Sequence, residues 1–105
     1  MKKLIFLLLI PTSVFAAPSN IQEKMKICSK IYDLAEKVML SRQDGVPISK
    51  ALTPVYQQKN ADVQKLHNDI IVAAYKQPIQ QKDKQLLSQN FAEKYATTCL
   101  ELASK

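Results

Sequence analysis

Two cysteines, a single histidine and a single arginine are the side chains here whose chemistry depends most on where the fold puts them. Cys28 and Cys99 allow one intramolecular pairing. As free thiols they would be nucleophiles or metal ligands. A redox or metal pair calls for Cys-x-x-Cys or a His-rich spacing, and neither occurs. The leading reading is a structural disulfide, with an intermolecular bond or free thiols as the alternative. The disulfide would tie the start of the chain to its end across about 70 residues, which loop-entropy arithmetic values at roughly 4–4.5 kcal/mol.

His67 has the chemistry of a base, a metal ligand or a pH sensor. It falls on an apolar helical face, with Asp69 two residues on and so off that face. This is the setting of a histidine at the edge of a core with one hydrogen bond. Arg42 falls near the centre of an apolar stripe, one turn from a helix end. It could hold an anionic ligand or a partner's carboxylate. Its other reading is a stem packed on apolar surface with the guanidinium on helix C-terminal carbonyls. The tyrosines, Tyr32, Tyr56, Tyr75 and Tyr95, all fall within expected helices. Their rings can pack while their hydroxyls reach the surface. Tyr75 joins Arg42 and His67 as a candidate binding residue.

Enzyme motifs are missing: there is no Gly-x-Ser-x-Gly, no His-Glu-x-x-His and no glycine loop for phosphate. A nucleophilic site needs Ser or Cys beside a base, and one histidine, with both cysteines better explained as a disulfide, leaves little to build it from. The chain is therefore read as non-enzymatic, with no catalytic residue, no metal site and no cofactor.

The setting that lets the cysteines pair is written in the first sixteen residues. Lys2 and Lys3 form a positive start, Leu4 to Ile10 an apolar run, and Val14 and Ala16 the small-residue positions of a signal-peptidase site. That run is well short of the roughly 20 residues needed to cross a bilayer. Residues 1–16 read as a cleavable signal peptide, residues 17–105 as one small domain, periplasmic or secreted, with no stable membrane insertion. The net charge of the whole chain is +6, and loss of Lys2 and Lys3 lowers it by two. The remaining lysines alternate with Asp, Glu and Gln in no concentrated basic face, which argues against nucleic acid as a partner.

The elements that position these residues are helices. Gly45 is the only glycine, and no Val/Ile/Thr alternation with hairpin turns is present. A first helix is expected over about 20–43, with capping boxes at Ser19 and Asn20. Met25, Cys28, Tyr32, Ala35 and Met39, flanked by Ile27, Ile31, Leu34 and Val38, form a face wide enough for two partners. It ends at Gly45 and Pro47. Residues 49–59 read as a short or broken helix, capped by Ser49 and by Thr53 before Pro54. Asn60 caps a helix over 61–76 that Pro78 ends. A last helix over about 81–103 aligns Leu87, Phe91, Tyr95, Cys99 and Leu102. The expected fold is all-α, a bundle of three to four helices closed by one disulfide.

Cys28, then Arg42-x-x-Gly45-x-x-x-Ser49, Ala74-Tyr75-x-x-Pro78 and Phe91-x-x-x-Tyr95-x-x-x-Cys99 make a pattern across most of the chain. It resembles small exported helical proteins of Gram-negative bacteria and their mobile elements, a resemblance that implies no activity. The layout is also similar to periplasmic acid-stress chaperones in architecture, though the cysteine separation is far longer and none of their motifs matches. The leading expectation is a binding protein acting on another envelope protein, as an inhibitor, immunity or accessory factor. The alternatives are an envelope acid-stress chaperone and a small toxin or hydrolase.

Overall fold

The computed structural model describes residues 2–104, with side chains from Ile21 onward. The side chains of the expected signal peptide lie outside those described. The helix runs unbroken through Ser19 and Asn20, so it does not start near 20 and neither residue is its N-cap as expected. The apolar run before them continues the helix without a break. The elements are α1 (Lys2–Gln43), α2 (Ile48–Ala51), α3 (Thr53–Gln57), α4 (Ala61–Tyr75) and α5 (Lys84–Ala103), with no strand among the described residues. The fold is an all-α bundle of three long helices and a broken connecting segment, closed by the Cys28–Cys99 disulfide.

The spine is α1. Cys28, Ala35, Val38, Met39 and Gln43 are buried along it at helical spacing. It stops in a Schellman turn. The Gly45 N–H donates to the Arg42 carbonyl at 3.1 Å and the Val46 N–H to the Ser41 carbonyl at 2.9 Å. Gly45 sits at φ +81 with open space where a Cβ would stand, so the backbone angle demands glycine and crowding does not.

The next segment breaks at Leu52, between α2 and the Thr53-Pro54 start of α3. Ser49 and Thr53 do not cap these turns as expected. The N-cap positions are Pro47 and Leu52, neither with a side-chain cap bond. The Pro47 carbonyl takes the first N–H groups of α2, from Lys50 and Ala51, so the turn closes without a side-chain cap. The Thr53 hydroxyl points back to the Ser49 carbonyl at 3.5 Å. Asn60 does cap α4: its Oδ1 accepts from the Asp62 and Val63 N–H groups at 2.9 and 3.1 Å. The last helix starts at Lys84 rather than 81, after Asp83 in a left-handed conformation at φ 55. Residues 76–83 are instead a connection laid across the end of α1.

The helices α1 and α5 run antiparallel. The disulfide joins them at one end, with Cα atoms 5.5 Å apart, and Gln85 Nε2 donates to Glu36 Oε2 nearer the other. The core lies in the half away from the disulfide, where α4 and α3 join them: Ala35, Val38, Met39, Val55, Ile70, Ile71, Ala74, Phe91 and Ala92. Ala35, Ala74 and Ala92 are wholly buried, so backbones approach closely there. Burying Met39, Ile70 and Ile71 contributes about 1.5–3 kcal/mol each.

Two expectations about the faces fail at the disulfide end. Met25 is 54% exposed and Leu102 66%. A face wide enough for two partners receives only α5 at that end, because α4 packs over the other half.

Candidate functional site

The candidate residues separate into three places. The first is a hydrogen-bonded clasp at the end of α1. Arg42 Nε donates to the Gln77 carbonyl at 3.0 Å, just past the C-terminus of α4, and its guanidinium lies 5.4 Å from the centre of the Tyr75 ring. The Tyr75 hydroxyl donates to the Val46 carbonyl at 2.7 Å, in the turn that ends α1. Burial pushes the Tyr75 phenol above its usual pKa, and Arg42 opposes that. The structure thus brings Arg42 and Tyr75 together, with both engaged to backbone carbonyls.

Gln43, which the sequence reading passed over, completes the clasp. It is 1% exposed. Its Nε2 donates to the Pro78 carbonyl at 3.0 Å, and its Oε1 accepts from the Gln80 N–H at 2.6 Å. One buried amide therefore stands in for a strand-like pairing and holds the 76–83 connection on α1. The available signal was its spacing: Gln43 falls four residues after Met39, on the apolar stripe, where a polar residue needs partners.

The second place is an open groove of about 300 Å³ where α1 meets α2, α3 and α4. Leu34, Val38, Val46, Ala51 and Pro54 supply apolar walls, while Lys37, Ser41, Lys50 and His67 bring polar atoms. His67 is 9% exposed, and burial lowers its pKa from the ordinary 6.5. The expected hydrogen bond to its ring is not formed among the described residues. Ser41 lines the same groove, but no hydrogen bond joins the two as a nucleophile and its base would be joined.

The third place is the disulfide end. Ile21 (61% exposed), Met25 and Leu100 (43%) border one hollow between α1 and α5. On the other flank Ile27 (55%) and Leu102 border a second, beside Cys28 and Cys99. Lys24 and Ala103 belong to both. The two largely apolar hollows therefore flank the disulfide-clamped helix pair near the C-terminal end of α5 and meet at Lys24 and Ala103. The tyrosines do not share in them as a group: Tyr32, Tyr75 and Tyr95 pack against the core, Tyr32 also bordering a hollow beside Met25 and Leu100, and Tyr56 stands out alone at 73% exposed.

Among the described residues no group of three or more His, Cys, Asp or Glu side chains could hold a metal ion, and no helix is long and apolar enough to cross a membrane. Comparison with protein families, curated proteins and solved structures finds no match.

Proposed function

We propose that this protein is a non-enzymatic envelope protein, periplasmic or secreted, that binds another protein through the apolar surface at its disulfide end, as an inhibitor, immunity or accessory factor would. The observation that carries this reading is the concentration of Ile21, Met25, Ile27, Leu100 and Leu102, all exposed, around one end of the α1–α5 pair. Single exposed apolar residues are ordinary, but a contiguous set marks an interaction surface. The disulfide holds the two helices that present it, so little conformational freedom is left to lose on docking. The partner would offer an apolar face of its own.

The test is site-specific photocrosslinking in cells. A photoreactive side chain at Met25 or Leu102 is expected to trap one partner of defined mass. The same group at Tyr56, exposed but remote from the disulfide, is expected to trap none. Leu100→Asp, at an exposed position, should abolish the product while leaving the far-UV spectrum unchanged. Equal products from Met25 and Tyr56, or none from either, would overturn the reading.

A further inference from the structure

We propose that the groove over His67 is a binding site for a small anionic amphiphile, a carboxylate carrying a short aliphatic tail. The groove is separate from the apolar surface at the disulfide end and shares no residue with it. Its volume of about 300 Å³ suits a small ligand, at the lower limit of the roughly 300–1,000 Å³ usual for such sites.

The lining is two-sided in chemistry. Leu34, Val38, Val46, Ala51 and Pro54 offer a surface for a hydrocarbon tail. Lys37 and Lys50 come from different helices, α1 and α2, and both line the groove, as does Ser41. No carboxylate lines the groove. The ion pairs among the described residues are Lys65–Asp69 and Lys84–Asp44, so neither groove lysine is neutralised by the protein itself. An anion placed there meets two ammonium groups without displacing a partner.

His67 is the second, independent feature. It is nine-tenths buried, lines the groove, and has no hydrogen-bond partner among the described residues. Its depressed pKa keeps the ring neutral near pH 7, with one N–H to donate and one nitrogen to accept. No side-chain polar atom among the described residues is both buried and unpartnered, so the ring nitrogens reach solvent. A carboxylate between the lysines would replace water as the acceptor of this N–H. A neutral tail alone would leave the lysines and the imidazole unused, and a cation would meet two like charges.

Decanoate is the probe, titrated into the full chain produced with its own leader and purified under oxidising conditions. Heteronuclear NMR follows the His67 ring and the methyl groups of Leu34, Val38 and Val46. The expected result is a saturable shift confined to those groups and a rise in the His67 pKa when decanoate is bound. Decanol should bind at least about tenfold more weakly, equivalent to roughly 1.4 kcal/mol. The Lys37→Glu/Lys50→Glu double variant should lose affinity by at least as much, with Lys59→Glu unchanged. If the double variant fails to fold, Lys37→Gln and Lys50→Gln are read singly. No saturable shift at the groove, equal binding of decanoate and decanol, unaltered affinity after charge removal, or shifts confined to Met25 and Leu100 would each overturn the proposal. None of those outcomes touches the crosslinking result at the disulfide end, except that shifts at Met25 and Leu100 would report its apolar character.

Discussion

Replacing Gln43 tests the clasp most directly. In Gln43→Ala the Pro78 carbonyl and the Gln80 N–H lose their partner. Each such bond contributes about 1 kcal/mol net. Pro78 and Gln80 are exposed residues, so water can reach the freed groups and the full penalty of an orphaned buried dipole does not apply. Loss of the buried γ-methylene adds about 0.8 kcal/mol. The variant should therefore be about 3 kcal/mol less stable, and its Tm about 12–24 °C lower for a domain of this size. Against a typical total of ~5–15 kcal/mol it should still fold at room temperature.

Gln43→Glu sharpens the test. One carboxylate oxygen can still accept from Gln80, but the other faces the Pro78 carbonyl where a donor stood. Burial and that carbonyl both disfavour the charged form, so the folded-state pKa of the new side chain is raised. Its protonated form can donate to Pro78. The stability it restores is full below the unfolded carboxylate pKa and is lost as pH rises through the raised folded value. Urea unfolding followed by circular dichroism at pH 5 and pH 8 measures both effects. A loss below 1 kcal/mol in Gln43→Ala, or equal stability of Gln43→Glu at the two pH values, would refute the account of the clasp.

The Cys28→Ser/Cys99→Ser variant should be destabilised by about 4 kcal/mol, from a disulfide with a sequence separation of 71; urea unfolding of oxidised wild type against the variant checks it, and a loss under 1 kcal/mol would contradict it. Because burial lowers the His67 pKa from 6.5, the unfolded chain binds the proton more readily than the folded one. Stability should fall as pH drops below about 6.5 and level off once pH passes below the folded value. The same titration of His67→Gln should lack that step, and an unchanged profile would assign it to other groups.

The helical architecture was legible in the sequence because its signals are local. Asn60 ahead of an apolar period, Gly45-Val46-Pro47 after one, and Pro78 beyond Tyr75 act within a few residues, and each stands where expected. The cap at Thr53 was misplaced because the Pro47 carbonyl and the Leu52 break close those turns, a competition that a single residue type does not reveal. The start of α5 was set too early because the 76–83 connection is held by Gln43, thirty-five or more residues away. Arg42 does meet a backbone carbonyl near a helix C-terminus, but that carbonyl belongs to Gln77, just past α4, and not to its own helix.

Sequence alone determined that the chain is all-helical, where its long helices end, and that Cys28 and Cys99 have only each other to pair with. Those properties depend on backbone preference, short-range capping and counting. Only the tertiary structure decided which apolar residues are buried. Periodicity gives a helix an apolar face but does not say how much of that face a neighbour reaches. Here α4 covers the C-terminal stretch of α1 and leaves the stretch around Cys28 to α5 alone, so Met39 is buried while Met25, on the same stripe, stands exposed on the surface that we propose binds a partner.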